Sequence, residues 1–199
     1  MKRLAVAAAI ALASACDLGP QTPGPHIDAL KTNSADTEAM AQLAIIGRPA
    51  VAPMLTAVEE NGALRKPVLT TLAVAGEPCW PAMVDFFDQC KSDDLRADIL
   101  EVFAQKRWKG VVRKLSNRIE HATMGAYVYN TIVRILEAQN PPPDPWASGT
   151  LDPAKKAEFD RWVGQNIRTM VELELRNSQY AKSDLEKVKR MMEEEYQRW

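Results

Sequence analysis

The chain has 199 residues, which is enough for one domain with appended segments. Hydrophobic residues make up 46% of it, so a sizeable core can be buried. The formal net charge of -1 gives no general reason to expect nucleic acid as a partner, because nucleic-acid binding needs a marked basic excess.

The first 16 residues have the pattern of a secretory leader. Lys2 and Arg3 precede an uncharged run from Leu4 to Ala15, and Cys16 follows. This run is shorter than the ~20 residues that a membrane span needs. We therefore predict a signal peptide over residues 1–15.

The end of this leader, Leu12 to Cys16, resembles the lipobox of bacterial lipoproteins. The resemblance implies lipid on Cys16 and a protein anchored in the bacterial envelope, facing the periplasm. Asp17 resembles the inner-membrane retention signal of enteric bacteria, which slightly favours the inner over the outer membrane. The position three residues before the cysteine is Ala13 rather than leucine, so ordinary cleavage after Ala15, which gives a soluble secreted protein, stays an alternative.

Residues 17–25 are rich in proline and glycine and predict an extended tether. Nine such residues reach ~28 Å from the lipid. We assign residues 16–35 to the lipidated cysteine and the tether, and we expect the helical body to begin near His26 or Asp36.

A repeat organises the middle of the chain. Gly47-x-Pro49 returns as Gly76-x-Pro78 at an offset of 29, and the apolar positions around each corner return with it. A third copy follows at an offset of 31, without the glycine–proline corner. A fixed period of roughly 20–50 residues is typical of stacked repeats that bury their apolar faces on one another.

Within each period the apolar residues recur with helical spacing, so each period holds two helices with the glycine and proline at the corner. The predicted helices are 36–46, 50–60, 64–75, 80–91, 94–105, 108–121 and 124–138.

The turn from Ile46 to Leu55, and its copy from Gly76 to Val84, resemble the HEAT repeat in its short bacterial form. The resemblance covers roughly residues 35–138. It implies an all-α fold, a right-handed α-α superhelix of about 3.5 repeats over residues 36–138. Such solenoids mostly hold other proteins, and in this family the second helix of each repeat lines the concave face. The candidate partner-binding residues are then the exposed positions Lys66, Thr70, Arg96 and Asp98.

The C-terminal part begins with a proline-rich linker over residues 139–151 and continues as a helical pair over residues 152–199. Asp152-Pro153 predicts a capped helix start, and Ser183 with Glu186 predicts a second one. The pair either folds back as a cap or projects towards a partner. Trp146 in the linker either docks on the repeats or contacts a partner, so it joins the candidate partner-binding residues.

Cys79 and Cys90 bracket one predicted helix. Eleven residues of helix separate them by ~16 Å, and a disulfide needs Cα atoms closer than ~7 Å. We therefore predict that they are not bonded to each other. Because cysteine is usually a small apolar core residue, we also expect both to be buried, with an exposed thiol that pairs with a partner as the alternative.

One segment is basic and interleaved with Trp108, and as an amphipathic helix it could touch anionic headgroups. Its basic residues are Lys106, Arg107, Lys109, Arg113, Lys114 and Arg118. Trp108 corresponds to Trp80 and Val51 in the repeat, which favours a core position for the tryptophan and a solvated face for the charges.

The sequence contains no recognisable catalytic or metal-ligand pattern, because His26 and His121 are far apart and no phosphate loop or nucleophile elbow occurs. We therefore expect no enzymatic activity, no cofactor and no small-molecule substrate. The favoured hypothesis is a lipid-anchored envelope scaffold that binds other envelope proteins. The alternatives are a subunit of an envelope enzyme complex and a soluble secreted protein that binds anionic surfaces.

Overall fold

The computed structural model describes residues 22–177, with side chains to residue 170. In that range the chain forms α-helices and short 3₁₀ turns and no strand. The all-α prediction is thus confirmed. The leader with Cys16 and Asp17, and the second C-terminal helix from Ser183, lie outside the described residues.

Nine α-helices follow one another between residues 22 and 177. They are α1 (Gly24–Thr32), α2 (Thr37–Ile46), α3 (Arg48–Glu60), α4 (Arg65–Ala75), α5 (Trp80–Gln89), α6 (Asp93–Lys106), α7 (Val112–Ser116), α8 (Gly125–Ile135) and α9 (Pro153–Asn177). The 3₁₀ turns are Gly62–Leu64, Glu77–Cys79 and Lys109–Val111.

Left-handed residues end three helices at repeat-equivalent positions. Gly47 follows α2 with φ 69°, and Gly76 follows α4 with φ 84°. Glycine suits this conformation because it has no Cβ to clash. The third position carries Arg107, with φ 52°, and it pairs with Glu137.

The helical body begins close to His26, one of its two predicted starts, so the tether assigned to residues 16–35 is too long. Helix α1 lies inside residues 16–35, with Pro25 in its first turn, where the missing N–H would have no helical partner. Ile27 and Leu30 of α1 are buried in the core. Their i, i+3 spacing places both on one face of the helix. Because this face packs on the core, α1 is part of the helical body, which therefore begins at Gly24.

The helix predicted over residues 108–121 is not continuous in the structure. Only Val112–Ser116 is α-helical, and i→i+3 hydrogen bonds flank it, from Val111 N to Trp108 O (3.1 Å) and from Arg118 N to Leu115 O (2.8 Å). Trp108 is nevertheless buried, as predicted. The apolar spacing therefore located the buried residues correctly, although the backbone is not one continuous helix.

Helices two elements apart contact each other. Helix α2 packs on α4, α4 on α6 and α6 on α8, while α1 packs on α3 and α3 on α5. One continuous core lies among them. It includes the repeat-equivalent residues Val51, Met54, Leu55, Met83, Val84 and Phe87.

Helix α9 packs on α7 and begins as predicted, with the Asp152 carboxylate accepting from Ala154 N (2.9 Å) and Lys155 N (3.2 Å). Phe159 and Val163 of α9 are buried. The first half of α9 therefore covers the end of the helical body, as a cap would.

Candidate partner-binding surface

The solvent-facing sides of α2 and α4 carry matching lines of exposed side chains, which we call the α2–α4 face. All six of its residues are exposed. They are Thr37, Ala41 and Ile45 on α2, and Lys66, Thr70 and Val74 on α4.

Repeat symmetry relates the two lines. Spacing of four residues places each set along one side of its helix, and an offset of 29 maps one set on the other. Ile45 and Val74 therefore occupy equivalent positions on two packed helices, and they are 50% and 71% exposed. Two aliphatic side chains are thus presented to solvent at matching places of successive repeats.

Lys66 and Thr70, which the sequence placed on the partner-binding surface, are both exposed. The Thr70 hydroxyl donates to Lys66 O within α4 (2.9 Å). Lys66 forms no ion pair within residues 22–170, so its ammonium is available to an external acceptor.

Arg96 and Asp98 were predicted to be exposed, but the structure shows both of them partly buried. The Arg96 side chain is 15% exposed, and its guanidinium donates to the carbonyl oxygens of Phe87 (3.1 Å) and Cys90 at the end of α5. It also pairs with Asp93 and lies 5.9 Å from the centre of the Phe87 ring. Arg96 therefore satisfies the last carbonyls of α5, because these lack partners within their own helix.

Asp98, whose side chain is 23% exposed, accepts a hydrogen bond from the Arg65 guanidinium, which joins α6 to α4. The same guanidinium donates to Asp94 O at 3.1 Å. The repeat pattern located both helices but could not reveal that Arg96 and Asp98 serve contacts between helices.

The outer side of α6 and α8, which we call the α6–α8 face, holds an ion pair. Arg134 donates two hydrogen bonds to Glu101, at 2.5 and 2.9 Å, and Gln105 donates to the same carboxylate at 3.0 Å. The hydrogen bond from Arg134 is the main reason that the pKa of Glu101 is lowered. Tyr127, 56% exposed, also belongs to this face.

Trp146 docks on the chain itself. Its indole Nε1 donates to Ile119 O at 2.7 Å, and the ring packs partly buried against the core. Of the two interpretations of Trp146, these contacts support docking.

The basic segment is held by contacts with its neighbours. Arg107 pairs with Glu137, Arg118 pairs with Asp88, and Lys114 lies 5.6 Å from the centre of the Trp80 ring. Trp80 is only partly buried, whereas Trp108, with which the sequence pattern compared it, is buried just before the Lys109–Val111 turn. The structure places Val112 at the start of α7, where Trp80 stands at the start of α5. Arg107, Arg118 and Lys114 thus join elements to one another, and the segment is not one continuous amphipathic helix.

Cys79 and Cys90 are both unbonded and buried, as predicted. Burial raises the pKa of each thiol. Both side chains therefore serve as small apolar groups of the core.

Glu59 on α3 and Asp93 at the start of α6 carry carboxylates that accept local hydrogen bonds. A groove of about 510 Å³ between α3 and the start of α6 includes Glu59, whose carboxylate accepts from Lys91 N at 2.7 Å. That hydrogen bond lowers the pKa of Glu59. The pKa of Asp93 is lowered chiefly by the Thr123 hydroxyl and then by Arg96.

Metal-ligand clusters of three or more His, Cys, Asp or Glu side chains do not occur among the described residues. No helix between residues 22 and 177 combines the length and apolar character that a membrane span requires.

Comparison of the chain with models of protein families, with curated proteins and with solved structures finds no match.

Proposed function

We propose that this protein is a non-catalytic protein-binding scaffold of a bacterial envelope, anchored by lipid on Cys16. In this proposal residues 36–138 act as a short HEAT-like solenoid. The succession of contacts α2–α4, α4–α6 and α6–α8 supports it, because stacked repeats place equivalent helices side by side.

One observation carries the binding role. Ile45 and Val74, at equivalent positions of two repeats, are exposed on packed helices. Burying such aliphatic groups against a partner removes apolar area from water at ~25 cal/mol per Å². Lys66 and Thr70 on the same face supply a cation and a hydroxyl that orient the partner.

The binding test is affinity capture of envelope proteins by the full-length protein and by a double variant, Ile45→Asp with Val74→Asp. We expect a set of captured proteins that the double variant loses, and that Lys66→Glu weakens. Tyr127→Asp is the matched control, because Tyr127 is also an exposed hydrophobic residue but belongs to the α6–α8 face. Unchanged capture by the double variant would place the binding surface elsewhere.

The anchor is tested by intact mass of the protein from membranes of its native host, beside a Cys16→Ser version. We expect a chain that begins at Cys16 and carries acyl groups, and we expect the serine version to lose both. An unmodified protein in the soluble fraction would contradict the lipid anchor and favour a soluble secreted protein.

The anchor also limits where a partner can lie. Helix α1 begins at Gly24, so at most seven residues, 17–23, separate it from the lipidated cysteine. When extended at about 3.1 Å per residue they reach about 22 Å. Partners of the α2–α4 face are therefore expected to be membrane proteins or proteins held close to the same membrane.

A further inference from the structure

The proline-rich segment 139–151, which we call the strap, is fastened to the last helices at several points. Trp146 Nε1 donates to Ile119 O (2.7 Å), and the Tyr129 hydroxyl donates to Pro142 O (2.5 Å). Pro142 and Pro145 are buried. Pro145 O accepts from Asp152 N (2.9 Å), so the end of the strap is bonded to the cap of α9.

The packing of Trp146 against α8 requires a glycine at position 125. A Cβ at Gly125 would lie 2.1 Å from Trp146 Nε1 and 2.4 Å from Ile119 O. Neither distance is compatible with a side chain larger than hydrogen. The strap therefore packs closely on α8 and on the turn before it, through Trp146, Gly125 and Ile119.

The described side chains of α9, residues 153–170, make few buried contacts with the rest of the helical body. Within residues 153–170 only Phe159 and Val163 are fully buried and two further apolar side chains are partly buried against the core, whereas α6 alone buries six residues. The Phe159 ring lies 5.5 Å from the Tyr129 ring, and Tyr129 also holds the strap. Lys156 adds an ion pair with Glu120 at 3.2 Å. The contacts of α9 and of the strap thus converge on the same part of the body.

We propose that the strap acts as a clasp, which holds α9 on helices α1–α8 chiefly through Trp146. When the contacts of this clasp are released, α9 opens as a unit separate from α1–α8. The uneven distribution of contacts carries this proposal, because proteins open locally where few apolar contacts must be broken. Opening uncovers Tyr129 and the apolar side of α7. The clasp thereby controls whether this end of the protein is covered, independently of the α2–α4 face.

Hydrogen exchange of backbone amides, followed by mass spectrometry on the full chain, tests the clasp. In Trp146→Ala we expect amides of residues 153–170 to exchange at least tenfold faster, while amides of α4 and α6 stay within twofold of the unmodified protein. Tyr129→Phe removes one hydrogen bond to the strap and keeps the ring. It should accelerate the same α9 amides by a smaller factor, about threefold.

Gly164→Ala is the matched control, because Gly164 lies on α9 and a Cβ there would meet nothing within 4 Å. It should not accelerate exchange in α9. Equal acceleration of α4, α6 and α9 in Trp146→Ala, or failure of that variant to fold, would show that the strap is part of one cooperative unit and would overturn the proposal. Unchanged α9 exchange in both Trp146→Ala and Tyr129→Phe would overturn it as well.

Discussion

The α2–α4 face and the α6–α8 face derive from the same repeat but use its exposed positions differently. On α2 and α4, Ile45, Val74 and Lys66 contact solvent. On α6 and α8, Glu101 and Arg134 contact each other, while Asp98 and Arg96 hold neighbouring helices. In our proposal the first half of the body presents these groups to a partner, whereas the second half uses its polar groups for internal contacts. Substitutions in the two halves should therefore separate binding from stability.

The largest expected effect on stability is that of Arg96→Ala. The change removes donors from the carbonyl oxygens of Phe87 and Cys90 and exposes the end of α5 without a cap. Hydrogen bonds to charged groups contribute about 1.5–3 kcal/mol, so we expect the free energy of unfolding to fall by about 2–3 kcal/mol. Urea denaturation measures this, with Lys66→Ala as an exposed control expected to change stability by less than ~0.5 kcal/mol. Equal effects of the two variants would contradict the assignment of Arg96 to internal contacts.

The next effect concerns binding. Ile45→Asp with Val74→Asp should reduce the affinity for a captured partner at least tenfold, which corresponds to about 1.4 kcal/mol. The same double variant should leave the free energy of unfolding within ~0.5 kcal/mol, because both side chains are exposed. Titration of the purified protein with its purified partner measures the affinity, and urea denaturation measures the free energy of unfolding. A marked loss of stability would mean that the α2–α4 face also has a structural role.

A smaller effect is expected for the Glu101–Arg134 pair. Both side chains are about half exposed, at 45% and 51%, so water screens their attraction. A double-mutant cycle with Glu101→Ala and Arg134→Ala should give a coupling energy of about 0.5 kcal/mol. Neither single variant should change partner capture. A loss of capture in either one would extend the binding surface onto the α6–α8 face.

The smallest effect is the acid dependence of stability. The folded state lowers the pKa of Glu59 through the Lys91 N–H and that of Glu101 through Arg134. A lowered pKa contributes stability above the unfolded value, about 4.5, and this contribution is lost as the pH falls through the folded value. Thermal unfolding between pH 6 and pH 3 should therefore show decreasing stability, and Glu101→Gln should make that decrease shallower. An identical pH dependence in Glu101→Gln would contradict the contribution of this pair.

Several local features of the fold could be predicted because their causes lie within a few residues. Asp36 accepts from Ala39 N (3.0 Å) at the start of α2, and Asp152 caps α9 in the same way. The left-handed residues at Gly47 and Gly76 follow from the repeated corner. Trp108 and the two cysteines are buried, as predicted from the apolar pattern around Trp108 and from the usual place of cysteine in cores.

Helix α1 shows where local patterns leave a boundary open. The prolines and glycines of residues 17–25 favour an extended tether up to the start of α1, and the Ile27–Leu30 pair is too short a pattern to place the start of the body at Gly24 rather than at Asp36. The helix forms because both apolar side chains are buried against the core, and that contact is not visible in the segment itself.

The helical class, the period of 29–31 residues, most helix boundaries between residues 36 and 106, and the core positions could all be obtained from the amino-acid sequence. These depend on spacing along one chain, which sets the side of a helix on which each residue lies. The partners of charged and polar groups became known only from the folded arrangement. Arg96 caps α5, Asp98 binds Arg65, and Trp146 meets Ile119 across 27 positions of sequence. Such contacts depend on which helix ends come within ~3 Å of each other, and periodicity carries no information about that distance.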